Sequence, residues 1–90
     1  MNTELVIQAV IEVITENYSW LLNDNKFEAH QCTNHIAFGG KNHDTYGWLE
    51  TRGDIIIATG ISPYGRSTKE FSSLKDAVHF CIKERFHCSK

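Results

Sequence analysis

In the first quarter of the chain the polar residues Gln8, Glu12, Thr15, Glu16 and Ser19 recur every three or four positions among Val, Ile and Leu. That spacing predicts one helix from about Thr3 to Leu22, despite its β-branched content. At about 100° per residue, the apolar side chains from Ala9 through Val13, Val6, Val10, Ile14 and Ile7 to Ile11 and Leu22 cover an arc of roughly 220°. A helix on one sheet face needs a stripe nearer 100° to 140°. The excess predicts either a second helix flanking the first or a partner molecule, including a second copy of the chain in a homodimer through this helix.

After the turn formers Asn23-Asp24-Asn25 the period changes from helical to alternating. Phe27, Ala29 and Gln31 alternate with Glu28, His30 and Cys32, and Ile36-Ala37-Phe38 continues toward Gly39-Gly40, which predicts a first strand with an interruption near Thr33-Asn34. Gly39-Gly40-Lys41-Asn42 has hairpin-turn chemistry, and beyond it Tyr46, Trp48 and Glu50 alternate with Gly47 and Leu49 as a second strand. Arg52-Gly53-Asp54 forms a tight turn into Ile55-Ile56-Ile57-Ala58-Thr59, the third and most apolar strand. Ser62-Pro63-Tyr64-Gly65-Arg66 then has loop composition. Phe71, Leu74, Ala77, Val78, Cys81, Ile82 and Phe86 repeat at helical spacing, with Ser73 and Asp76, or Ser67 and Glu70, as candidate capping pairs. Residues 1–90 are thus expected to form one small α+β domain of order α-β-β-β-α, a three-stranded antiparallel meander packed by two helices on one face.

Composition narrows the class further. Ninety residues with 41% hydrophobic content and ten aromatics exclude a wholly disordered chain, and no apolar run approaches the ~18 residues of a membrane span. A domain of this size buries only about 60 to 65% of its unfolded surface, which leaves little material for a deep active-site cleft. The net charge of −2 is unevenly spread, at −4 over residues 1–30, −1 over 31–60 and +3 over 61–90. An odd count of three cysteines and an N-terminus without a basic start predict a reduced, cytoplasmic protein.

Several segments carry candidate chemistry. Gly60-Ile61-Ser62-Pro63-Tyr64-Gly65-Arg66-Ser67 has the glycine spacing and terminal hydroxyl of a phosphate-binding loop, but Arg66 stands at the lysine position and a short meander supplies no parallel sheet or second acidic motif. As a loop before the last helix, the same segment gathers Tyr64, Arg66, Ser67 and Lys69 as the expected contact for an anion or an acidic partner. His30, Cys32, His35 and His43 are weak metal candidates, because structural zinc sites pair their ligands in wider knuckles than His30-Gln31-Cys32 offers. Cys81 belongs with Ala77 and Val78 in the core. Tyr46 and Trp48 are expected to share one sheet face as an aromatic stripe, with the short chain favouring a place in the core and an open interaction surface as the alternative. Glu12 and Glu16, with Glu4, give the first helix an acidic interaction surface able to imitate phosphates.

The order α-β-β-β-α is similar to that of double-stranded-RNA-binding domains, with His43 in the hairpin between strands and Lys69 near the start of the last helix. That resemblance implies RNA binding through the first helix, the hairpin histidine and a lysine cluster. Here Lys69 is followed by Glu70 in a chain of net charge −2, which disfavours phosphate contacts. The expectation is therefore a non-enzymatic protein-binding module without cofactor. A small inhibitor or accessory factor fits, such as a phage- or mobile-element-encoded antagonist of host defence, or an antitoxin or immunity protein. An RNA- or DNA-binding module is the alternative and a small zinc-binding domain the third reading.

Overall fold

The computed structural model describes residues 3–23, 27–31, 35–40, 44–62 and 64–86. Helix α1 (Thr3–Asn17) and the single turn α2 (Trp20–Asn23) precede five strands, β1 (Phe27–Gln31), β2 (Ile36–Gly40), β3 (Asp44–Arg52), β4 (Ile55–Ser62) and β5 (Gly65–Phe71), and helix α3 (Leu74–Phe86) follows. The strands form one antiparallel sheet in the order β1-β2-β3-β4-β5. The α+β class, the meander and the helices on one face are as the spacing predicts, while the sheet has five strands where the spacing resolves three.

Each difference has a local cause. The long first helix breaks at Tyr18-Ser19: the Asn17 amide donates to the Val13 carbonyl at 3.3 Å, and tighter turn bonds follow, Leu21 N–H to the Tyr18 carbonyl at 2.8 Å and Leu22 N–H to the Ser19 carbonyl at 2.9 Å. Short polar side chains that bond their own backbone compete in this way with helix propagation. The expected first strand is a hairpin, since Gln31 pairs with Ile36 and the chain reverses between them. Residues 65–71, expected as loop and helix approach, are strand β5 paired along its whole length with β4. Its sequence Gly-Arg-Ser-Thr-Lys-Glu-Phe has no apolar alternation because an edge strand buries almost nothing and is held by its backbone bonds to β4. Lys69 therefore lies in mid-strand and away from the start of α3. That start is capped by Ser73, whose hydroxyl accepts the Asp76 N–H at 3.3 Å.

The helices cover a single face. Register places Ile36 and Phe38 of β2, Gly47 and Leu49 of β3, and Ile56, Ala58 and Gly60 of β4 on it, and these pack with Val10, Val13 and Ile14 of α1 and Ala77, Val78, Cys81 and Ile82 of α3. Each fully buried Phe38, Leu49 or Ile82 contributes on the order of 2 to 3 kcal/mol of transfer free energy. Gly47 and Gly60 are cross-strand partners directly beneath α3. A Cβ on Gly60 would stand 2.8 Å from the Glu84 Cβ, and one on Gly47 would stand 2.5 Å from the Thr59 carbonyl oxygen and 3.0 Å from Cys81 Sγ. The pair is a bare patch of backbone on which α3 rests.

Replacing Gly60 by Ala is expected to cost about 1 to 3 kcal/mol by overpacking, and Gly47→Ala at least as much because backbone cannot step aside. Ser67→Ala on exposed β5 should stay within about 0.5 kcal/mol. Urea denaturation of the three variants checks this, and equal stabilities would mean that α3 is not seated on the glycine pair.

Candidate functional site

With both helices on one face, the other side of the sheet carries no helix among the described residues. Alternation opposite to the core set puts Ala37, Trp48, Thr59 and Thr68 in one cross-strand row at its centre, with Glu50, Ile57 and Glu70 in the next row and Ile61 beside Arg66 in another. The Arg66 guanidinium lies 5.4 Å from the Trp48 ring centroid and the His35 ring 5.6 Å from it. Thr59 and Thr68 share a hydroxyl hydrogen bond of 3.1 Å. Ile55 at the end of β4 is 43% exposed, so the face combines an indole, aliphatic side chains and a rim of both charge signs.

The aromatic stripe expected of Tyr46 and Trp48 is divided, and a bulge divides it. Phe38 pairs with Gly47 but Gly39 pairs with Thr45, which makes Tyr46 an extra residue in β3. The extra residue re-aims Tyr46 to the helix side. There it is buried, with its ring 5.0 Å from Phe86 and the Arg85 guanidinium 5.5 Å above it. Trp20 reaches the same Phe86 at 5.0 Å and packs edge-on to Tyr18 at 6.5 Å, which ties the α1–α2 segment to α3.

The segment expected to contact an anion is distributed over both faces. Tyr64 sits at the β4–β5 hairpin tip with 90% of its surface exposed, Arg66 is on the open face, and Ser67 and Lys69 point to the helix side. The segment Gly60–Ser67 spends its backbone on strand pairing and turn bonds, among them the Tyr64 N–H to Ser62 Oγ at 3.1 Å, and makes no phosphate cradle before a helix. Glu12 of α1 pairs with Lys75 of α3 at 3.5 Å, which joins the two helices across solvent, and Glu16 is exposed. Cys32 and His43, with the side chain of His30, lie outside the described residues, while the His35 ring lies tilted beside Trp48. Among the described residues no three metal-ligating side chains gather.

The broad apolar arc of α1 also divides. Val6, Val10, Val13 and Ile14 are buried, whereas Ile11 of the same arc is 43% exposed; Leu5, which lies outside the arc, is 58% exposed. Six positions apart, Leu5 and Ile11 point about 120° from one another, on either side of Gln8, Glu12 and Thr15. The second helix that flanks α1 is α3.

A shallower feature lies between β5 and α3, a cleft of about 410 Å³ lined by Lys69, Phe71, Asp76, His79, Phe80 and Lys83. Phe71 and Phe80 form its floor with rings 5.3 Å apart, and the Lys69 ammonium lies 5.7 Å from the Phe71 ring. The Tyr18 hydroxyl and His79 Nδ1 share a hydrogen bond of 2.9 Å. Burial first, and the Lys83 and Lys75 charges next, hold the His79 pKa below the ordinary 6.5 against the opposing pull of Asp76. The buried Cys81 thiol donates to the Thr59 carbonyl at 3.5 Å, and burial with Glu84 nearby pushes its pKa up to about 12, so this sulfur is a packing atom and no nucleophile.

Comparison with protein-family models, with curated proteins and with solved structures finds no match to this chain. No helix of the described residues is long and apolar enough to cross a membrane.

A depressed His79 pKa means that below about pH 6.5 the unfolded chain binds a proton that the folded chain resists, so stability is full above that pH and falls as the solution is acidified through it. Urea midpoints at pH 7.5 and 5.5 should differ in the wild type and differ less in His79→Gln. An unchanged slope in the variant would assign the pH dependence elsewhere.

Proposed function

We propose that this chain is a non-enzymatic protein-binding module that docks on a larger protein through the uncovered sheet face. Trp48, seated mid-face beneath the Arg66 guanidinium, is the observation that carries the reading. Tryptophan and arginine are the side chains that most often dominate interface energetics, and they do so where aliphatic neighbours and a polar rim exclude water around them. Ile55, Ile57 and Ile61 supply that surround, and Glu50, Glu70 and Thr68 the rim. A preformed, hydrogen-bonded sheet costs little ordering on binding, which suits a small domain that works by docking, as inhibitors and accessory factors do.

The mixed signs of Arg66, Glu50 and Glu70 favour protein over nucleic acid, because a phosphate backbone rewards only the cation and is repelled by both carboxylates. The chemistry near the α3 cleft also suits docking better than catalysis: His79 already serves Tyr18, and the Cys81 thiol is buried and protonated. A buried free thiol is at home in a reducing compartment, so the proposed location is cytoplasmic.

Affinity capture from the native host, run in parallel with wild type and Trp48→Ala, tests the reading. The variant should keep its melting transition to within a few degrees while losing about 2 to 4 kcal/mol of affinity, or roughly 30-fold and more, for a partner that the wild type retains. A partner held equally by both proteins, or a salt-sensitive mobility shift with RNA or DNA in its place, would remove the sheet face from the function.

A further inference from the structure

Strand β5 is the last strand of the sheet, and along its outer side no described strand or helix pairs with it. It is seven residues long, free of bulges in its pairing with β4, and exposed from Gly65 to Glu70. Which of its backbone groups face outward follows from the hairpins at both ends of β4. The tight turns bring Arg52 opposite Ile55 and Ser62 opposite Gly65, and a two-residue connection closes on a hydrogen-bonded pair. Alternating from either end gives the same result: Ile56, Ala58, Gly60 and Ser62 bond to β5, while Ile55, Ile57 and Thr59 bond to β3. On β5, Ser67, Lys69 and Phe71 are therefore turned inward, and the N–H and C=O groups of Arg66, Thr68 and Glu70 point out of the sheet.

We propose that this edge is the seam of a homodimer, in which β5 of two copies pair antiparallel about a two-fold axis at Thr68. In that register Thr68 faces Thr68, Arg66 faces Glu70, Glu70 faces Arg66, and Gly65 lies opposite Phe71. The outward backbone groups of Arg66, Thr68 and Glu70 then bond one another across the seam, and the sheet runs unbroken through both copies. The three side chains lie on the open face, where opposite charges in facing positions and a Thr–Thr pair both stabilise a strand pair. Charges on an edge ordinarily turn foreign strands away. Here they also select the register, because centring the pair on Arg66, Lys69 or Glu70 sets that residue against its own copy and brings like charges together. Arg66 can serve both neighbours, since a guanidinium presents its flat side to an indole and its N–H edge to a carboxylate.

The seam shares Arg66, Thr68 and Glu70 with the rim of the Trp48 face but does not include Trp48. Trp48→Ala removes no backbone or charge pair of the seam, so loss of the partner with the dimer intact separates the two readings. Sedimentation of the wild type over a concentration series at low salt should pass from monomer to dimer. Arg66→Glu and Glu70→Arg should each weaken the dimer roughly ten-fold or more by placing like charges opposite each other. An equimolar mixture of the two variants should dimerise again, as should the doubly reversed R66E/E70R chain, which a mere folding defect would not allow. Hydrogen exchange gives a second readout, with the Arg66, Thr68 and Glu70 amides gaining protection as concentration rises while Ser67 and Lys69 stay protected throughout. A wild type monomeric to about 1 mM, a dimer indifferent to the charge reversals, or protection that does not alternate along β5 would each overturn the proposal.

Discussion

Helix α3 lies on the sheet at the one place where two cross-strand partners lack side chains, and most of the structure follows from that approach. With Gly47 and Gly60 beneath it, the helix sits close enough for the Cys81 thiol to reach the Thr59 carbonyl and for Ala77 and Val78 to be fully buried. At that height its neighbouring side chains meet the rest of the chain. Phe80 reaches Phe71 of β5, Phe86 reaches Tyr46 and Trp20, and His79 reaches the Tyr18 hydroxyl. A helix held off by an added methyl group would have to shift or tilt, and contacts at both of its ends would change together, because dense interiors transmit strain.

With both helices gathered on one face, no described helix covers the other. The bulge at Tyr46 sharpens the asymmetry. It moves one large aromatic into the helix layer and leaves Trp48 on the other face, with the His35 ring beside it and Arg66 over its ring. The sheet thereby separates a dry core on one side from a face of mixed aromatic, aliphatic and charged side chains on the other. The outer edge at β5 is a third kind of surface, a row of backbone groups that no described strand pairs.

Much of the fold was legible in the spacing of residues. The helical period from Thr3 onward, the alternation through β3, the apolar run of β4 and the cap at Ser73 are signals that backbone geometry imposes on any sequence forming such elements. The site was legible only in part. Trp48 and Arg66 stood out by residue type, yet nothing in their positions showed that they touch, since the contact depends on β5 being a strand and its polar sequence carries no strand period. Gly47 was visible as a glycine inside a strand, which is the available sign of a close approach, whereas Gly60 stood just past the expected third strand, in the loop-like segment. What approaches them is named by neither neighbour.

By itself, then, the sequence determined that the first and last segments are helical and that β3 and β4 are extended, that α3 turns Ala77, Val78, Cys81 and Ile82 inward, and that the charge runs from acidic to basic along the chain. Tertiary structure decided where the first expected strand folds back at Gln31 and Ile36, that a polar segment pairs as β5, and on which side of the sheet each aromatic lies. The physical reason is the range of the interactions. Periodicity is set within a turn or two of chain, whereas strand pairing, a bulge opposite Phe38–Gly39 and the seating of a helix on bare backbone are set by groups far apart in sequence. Their mutual fit has no local signature.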